Sequence, residues 1–311
     1  MAEQKLRLED LLKGVELTEE KEDRIDSVAI IGAGVMGQGI AQTLAASGLD
    51  VLIVEKNDEL LEQAKARLSD SMDREIARWA MTKSEKKSII GRLKWTKDIH
   101  DIKDYRLVIE AVDEDLHLKR MIFKQLDEIA NKDAIFISNT STLSLTKIAE
   151  VTGRADKIIG LHFLNPVPKV PVVEVVRAVE TSDETSKLIK TFATRIGKTP
   201  VEVYEYPGFV TTRAIVPLLN EAMHILMEGI ATAEGIDTAM KLGYNFPMGP
   251  LEMADSMGLD EVLAWMESLW QSLGEPRYRA CPLLRKLVRE KKLGKKTGEG
   301  FYKYNGDKKA Q

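Results

Sequence analysis

The chain carries one cysteine, Cys281, among 311 residues. A single thiol excludes an internal disulfide framework and a cysteine-rich zinc module, and it suits a reducing compartment. Long apolar runs are also missing, since no stretch approaches the roughly 18 residues that a spanning helix needs. Neither sign of charge dominates. Lys+Arg 45 against Asp+Glu 49 leaves a formal −4, so no overall field draws the chain to nucleic acid or anionic lipid. The first 24 residues hold too many acids for a transit peptide and lack the apolar core of a secretory signal. A soluble, cytoplasmic protein that neither spans nor binds membranes is expected. Leu6, Leu8, Leu11 and Leu12 form the apolar cluster of that segment, which reads as a short surface helix or a frayed extension.

With 44% hydrophobic and 30% charged residues, the composition is that of a globular protein, and the length suggests about two domains. Ser27 to Ile31, Asp50 to Val54, Arg106 to Ile109 and Ala134 to Ser138 read as buried strands. Helical patterns at Val35 to Ser47, from Asp58 into the 80s and at Leu118 to Ala130 separate them. This alternation predicts an α/β, doubly wound, mostly parallel sheet. Ile158 to Phe163 and Val170 to Val176 add β-rich segments around an Asn165-Pro166 turn, then a helix at Lys187 to Ile196 and a short strand at Val201 to Val203. From Thr211 onward helical periodicity takes over: Ala214 to Glu228, Asp237 to Leu242 closed by Gly243, Leu259 to Leu273 closed by Gly274, and Leu283 to Lys291. The expected division is a charged extension (1–24), a sheet domain (25–206), an all-α domain (207–304) and a tail (305–311).

Gly32-Ala33-Gly34-Val35-Met36-Gly37 directly follows the first strand and opens the first helix. In that context G-x-G-x-x-G is a dinucleotide-binding signal. Gly32 permits the tight turn, Gly34 lets a pyrophosphate approach the backbone, and Gly37 lets the helix lie close to the strand. The unpaired N–H groups and the positive dipole end of that helix face the phosphates. Glu55 lies at the end of the second strand, where an acid binds the ribose hydroxyls and repels a 2′-phosphate, so NAD is favoured over NADP.

Four histidines are present. His100 and His117 lie in charge-rich stretches. His224 shares a helix face with Glu221 and Glu228; a solvated ion-pair face is preferred there to a metal site, and no metal is expected. His162 ends an apolar strand, and Glu174 sits among Val172, Val173, Val175 and Val176 on the returning segment. A carboxylate buried among valines needs a partner, and His162 is the nearest candidate. Such a pair is either purely structural, or it fixes the imidazole tautomer and leaves the second nitrogen as a base. Asn139 to Thr142 closes a sheet strand at the carboxyl edge, where doubly wound sheets gather ligands; ordinary helix capping explains the same residues.

Together, GAGVMGQGIA, IEAVDEDLHLK, SNTSTL, HFLNPVPKVPVVEVV, YPGFVTTR, GYNFPMGPLEMAD and GKKTGEGFYKY give the chain a resemblance to the L-3-hydroxyacyl-CoA dehydrogenase family, 3-hydroxybutyryl-CoA type, over residues 27 to about 304. The resemblance implies NAD-dependent oxidation of a short-chain (S)-3-hydroxyacyl-CoA. In that reaction His162 is the general base, Glu174 its orienting acid, Ser141 a hydrogen-bond partner of the reacting oxygen, and Asn165 a residue holding nicotinamide and substrate. It also implies that Gly32, Gly34, Val35, Met36, Gly37, Glu55, Ala111, Glu114 and Lys119 line the cofactor site. Ser71 and Arg78 fall near positions that contact CoA, although a solvated helix face explains them equally well. Relatives commonly have asparagine where this chain has Thr212, which is expected to donate a hydrogen bond near the histidine, directly or through water. A homodimer through the helical domain is likewise implied. Two other readings stay open: a related dehydrogenase of a 3-hydroxy acid or sugar acid without CoA, and a dinucleotide-binding protein that has lost catalysis. The Lys/Arg-rich stretches Arg285 to Lys296 and Lys303 to Lys309 lack interleaved aromatics and read as a solvated helix face and a frayed tail, not as a nucleic-acid surface.

Overall fold

The computed structural model describes residues 25–306 and 308–309, so the expectation for residues 1–24 lies outside it. β1 (Ser27–Ile31), β2 (Asp50–Val54), β3 (Leu93–Thr96), β4 (Leu107–Glu110), β5 (Ile135–Ser138), β6 (Ile158–Phe163), β7 (Val172–Arg177) and β8 (Thr199–Tyr204) form one sheet in the order β3-β2-β1-β4-β5-β6-β7-β8. All neighbours run parallel except β6 and β7. The central strands are apolar on both faces, with Ile30, Ile53, Ile109 and Ile137 buried on one side and Ala29, Val108 and Phe136 on the other. Helices cover both sides, so these strands read as continuous hydrophobic runs. Covering them are α1 (Val35–Ala46), α2 (Asp58–Ala77), α3 (Lys83–Gly91), α4 (Leu116–Ile129), α5 (Leu145–Ala149) and α6 (Asp183–Arg195).

Three features depart from the sequence reading. The long helical stretch after Asp58 is two helices. Trp79 adopts a left-handed backbone (φ 59°), and a Thr82–Glu85 capping box starts α3. The edge strand β3 carries no strand signal in the sequence, because its LKWT segment is only half buried and lacks a run of apolar residues. A glycine end was expected at Gly243, yet the helix Ala233–Tyr244 continues through it and stops at left-handed Asn245 (φ 57°).

After β8 the chain forms α7 (Thr211–Met227), α8 (Ala233–Tyr244), α9 (Pro250–Met257), α10 (Leu259–Leu273) and α11 (Pro282–Arg289). These enclose a separate apolar cluster containing Leu219, Met223, Leu251, Val262, Met266 and Leu284. The short α9 was not anticipated; Pro250 at its first turn starts it. The tail is pinned where fraying was expected. Asp255 accepts from the Phe301 and Tyr302 N–H groups and from the Tyr304 hydroxyl, and Asp237 accepts from the Tyr302 hydroxyl. Lys309 pairs with Glu252 at 2.9 Å.

Candidate active site

Antiparallel pairing of β6 with β7 sets His162 directly opposite Glu174. Side chains at opposed positions share one face of a sheet, so the hairpin register itself brings the pair together. His162 Nδ1 lies 2.6 Å from Glu174 Oε2, with the residues 5% and 1% exposed. Burial pushes the Glu174 carboxyl up, but the His162 bond and charge and the bonds from Thr211 outweigh it and hold the group below the usual range. The acid is therefore ionised and takes the Nδ1 side of the ring as its hydrogen-bond partner, which leaves Nε2 as the nitrogen that can face a substrate.

The same carboxylate caps the first helix of the second unit. Its Oε1 accepts from the Val210 and Thr211 N–H groups at 3.0 and 2.8 Å, and its Oε2 also accepts from the Thr211 hydroxyl at 2.8 Å. An anion at a helix N-terminus is favoured by the dipole and by the unpaired N–H groups there. Phe209, left-handed at φ 49°, sets its ring 5.6 Å from that of His162. Neither Phe209 nor Thr211 was singled out from sequence. YPGFVTTR is legible as a motif, but which of its residues faces β7 depends on where α7 starts. Thr212 is buried one position further on, and its hydroxyl makes no hydrogen bond among the described residues. The threonine that donates to the dyad is Thr211.

Glu114 organises the loop after β5. Its Oε1 accepts from the Thr140 hydroxyl (2.6 Å), Ser141 N–H (2.8 Å), Thr142 N–H (2.9 Å) and, at 3.2 Å, both the Ser141 and Thr142 hydroxyls. Burial raises this carboxyl, yet Lys119 and the loop donors bring it below the ordinary value. Lys119 is itself 1% exposed and bonds Glu110 at 2.6 Å. Glu110 in turn accepts from the Ser138 hydroxyl and the Val112 N–H. Glu114 and Lys119 thus brace the loop from beneath. Asn139 holds the end of β6 by accepting from the Phe163 N–H at 2.9 Å.

Asn165 lies exposed on the turn after β6, beside a cis bond to Pro166. Lys198, another residue missed in the sequence, donates from beneath that turn to the Val167 and Val170 carbonyls. Ser71, Glu75 and Arg78 follow helical spacing along one face of α2 and its end, and Glu75 bonds Lys169 of the same turn at 2.9 Å.

The glycine loop fits a dinucleotide. Gly34 is the N-cap of α1, with no side-chain cap and no acid in the first turn, so the helix N–H groups are left for phosphate oxygens. A side chain on Gly34 would meet nothing within 4 Å, whereas a Cβ on Gly37 would lie 2.0 Å from the Gly32 carbonyl oxygen and one on Gly32 2.8 Å from the Ala111 oxygen. Val35 projects 70% exposed beside the loop, while Met36 packs on the core. Glu55 accepts from the Ala33 N–H at 3.0 Å, which fixes its carboxylate at the β2 end of the crevice.

Residues 27–206 match the family model described as 3-hydroxyacyl-CoA dehydrogenase, NAD binding domain, and residues 208–304 match its C-terminal domain. The chain belongs to the 3-hydroxyacyl-CoA dehydrogenase family. It is 46% identical over 275 residues to a probable 3-hydroxybutyryl-CoA dehydrogenase of Deinococcus radiodurans, covering 88% of this chain and 99% of that protein. It is 44% identical over 278 residues to the 3-hydroxybutyryl-CoA dehydrogenase of Clostridioides difficile, covering 89% and 99%. Among solved structures, M. tuberculosis FadB2 superposes with a TM-score of 0.87 at 38% identity, covering 90% of this chain and 99% of that one. The (S)-3-hydroxybutyryl-CoA dehydrogenase PaaH1 from Ralstonia eutropha gives 0.82 at 44%, covering 91% and 100%. The protein is an NAD-dependent oxidoreductase of this family, and no helix among the described residues is long and apolar enough to cross a membrane.

Proposed function

We propose that this 3-hydroxyacyl-CoA dehydrogenase reversibly oxidises short-chain (S)-3-hydroxyacyl-CoA, 3-hydroxybutyryl-CoA in particular, to the 3-oxoacyl-CoA. The observation that carries the reading is the buried His162–Glu174 pair at 2.6 Å, at the carboxyl edge of a sheet whose first turn fits a dinucleotide. NAD, when bound, supplies the hydride acceptor. His162 Nε2 takes the proton of the 3-hydroxyl, and the ionised Glu174 stabilises the imidazolium that results. Ser141, held to Glu114 by its backbone N–H, turns its hydroxyl from Glu114 to donate to the substrate oxygen; Asn165 orients the reacting groups; Thr212 supports the carbonyl end from the domain junction. Gly32, Gly34, Val35, Met36, Gly37, Glu55 and Ala111 bind the cofactor, with Glu114 and Lys119 shaping its rim. Ser71 and Arg78 border the CoA path, because their helix face is tied to the Asn165 turn through Glu75 and Lys169.

Residues 25–206 serve as the cofactor domain and 207–304 as the substrate and dimerisation domain of a cytoplasmic homodimer. The exposed Met227, Ile230, Leu242 and Tyr244 support a second copy as the partner, since apolar groups of this size gain from burial in an interface. The test is NADH consumption with a panel of 3-oxoacyl-CoA esters, with free 3-oxo acids and NADPH as controls. Acetoacetyl-CoA with NADH should turn over and His162→Gln should abolish it. Activity on free acids alone, or an active His162→Gln, overturns the reading.

A further inference from the structure

The two oxygens of Glu174 do different work. Oε1 takes both backbone N–H groups that begin α7, at 3.0 and 2.8 Å. Oε2 takes His162 Nδ1 at 2.6 Å and the Thr211 hydroxyl at 2.8 Å. The helix end is therefore satisfied without the hydroxyl, and the hydroxyl sits on the oxygen that holds the imidazole. We propose that Thr211 is a positioning residue of the dyad, whose hydroxyl shares Glu174 Oε2 with His162 and thereby sets how strongly that oxygen holds the imidazole.

The physical argument is one of charge dispersal. A donor to a carboxylate oxygen stabilises the anion and makes it a weaker acceptor for any second donor. With the hydroxyl in place, the bond to His162 is tempered and Nε2 is a milder base. Without it, Oε2 holds the imidazolium more strongly.

Few other charges compete for this role. On the flanking strands, Arg177 of β7 pairs with Asp183 at 2.7 Å and with Glu202 of β8 at 3.4 Å. Glu205, in the link to α7, accepts from the Thr146 N–H and hydroxyl and from Ser144. Arg213 of α7 stacks over Tyr206 at 4.4 Å, and Glu114 and Lys119 are engaged with the Thr140–Thr142 loop and Glu110. The charge acting on Glu174 is that of His162, and the neutral donor modulating it is Thr211.

The inference rests on His162 being the base. Thr211→Val is the informative variant, because valine keeps the shape and the backbone N–H groups while deleting the hydroxyl; Thr211→Ala carries the same test should the valine variant not fold. In the kcat/KM profile for acetoacetyl-CoA reduction, the limb reporting the imidazole should move to higher pH by about half a unit, a roughly threefold change in rate at a fixed pH on that limb. The His162 Nδ1 proton resonance, read by NMR on the protein without substrate, should move downfield. Thr211→Ser should restore both. A profile and resonance that coincide with wild type in Thr211→Val overturn the inference, as does a serine variant that behaves like valine. An inactive wild-type enzyme instead overturns the reading of the reaction, and the resonance still decides the sharing of Oε2.

Discussion

Replacing Glu174 by glutamine should do more harm than loss of one charge suggests. Oε1 receives two backbone N–H groups, so the amide oxygen of a glutamine must take that seat. Its NH₂ group then falls where Oε2 was, facing His162 Nδ1 and the Thr211 hydroxyl. An N–H aimed at Nδ1 forces that nitrogen to accept, which moves the imidazole proton to Nε2 and removes the lone pair that takes the substrate proton. The charge-assisted bond is lost as well, about 1.5–3 kcal/mol for a hydrogen bond to an ionised group. Since base catalysis contributes about 10²- to 10⁴-fold, kcat should fall within that range. The helix end keeps both N–H bonds but loses its anion, about 0.3–1 kcal/mol of dipole interaction, so folding should be only mildly affected. Steady-state NADH consumption with acetoacetyl-CoA reads the first effect and a urea unfolding midpoint the second. A Glu174→Gln enzyme with wild-type kcat refutes the tautomer argument.

Lys119→Met strands the fully buried Glu110, which should destabilise the fold by about 3–5 kcal/mol; the double variant Glu110→Leu/Lys119→Met should recover part of that in the same urea titration. Glu55→Gln should raise the KM for NADH and narrow the preference over NADPH, measured in parallel assays of both. Thr212→Val should lower turnover of acetoacetyl-CoA if its hydroxyl serves the substrate, and unchanged turnover removes it from the site. Glu114 and Glu174 both lie below the ordinary glutamate range when folded. Each therefore contributes stability above about pH 4.3 that is lost as pH falls through its lowered value. Urea midpoints should drop on acidification below that pH, less so in Glu114→Gln.

The sheet was legible because its strands are buried on both faces and leave unbroken apolar runs such as Ser27 to Ile31. β3 and α9 were not, since one is a half-buried edge and the other is only eight residues long. His162 and Glu174 could be paired from sequence because a lone acid among valines demands a partner. The supports of the site were hidden for a different reason. Lys198 and Thr211 look like surface residues in a linear reading, and only the folded chain shows which carbonyl or acid each one meets. Thr212 illustrates the limit of motif comparison. Thr212 is the position that differs from relatives, while the hydroxyl touching the dyad stands one residue earlier.

The carboxylate at the start of α7 has a consequence for engineering. A hybrid enzyme that joined the sheet half of this chain to the helical half of a cousin would inherit that cousin's residue at position 211, and with it a differently tuned imidazole. The seam between the halves is therefore a poor place for recombination unless the first turn of α7 travels with β7.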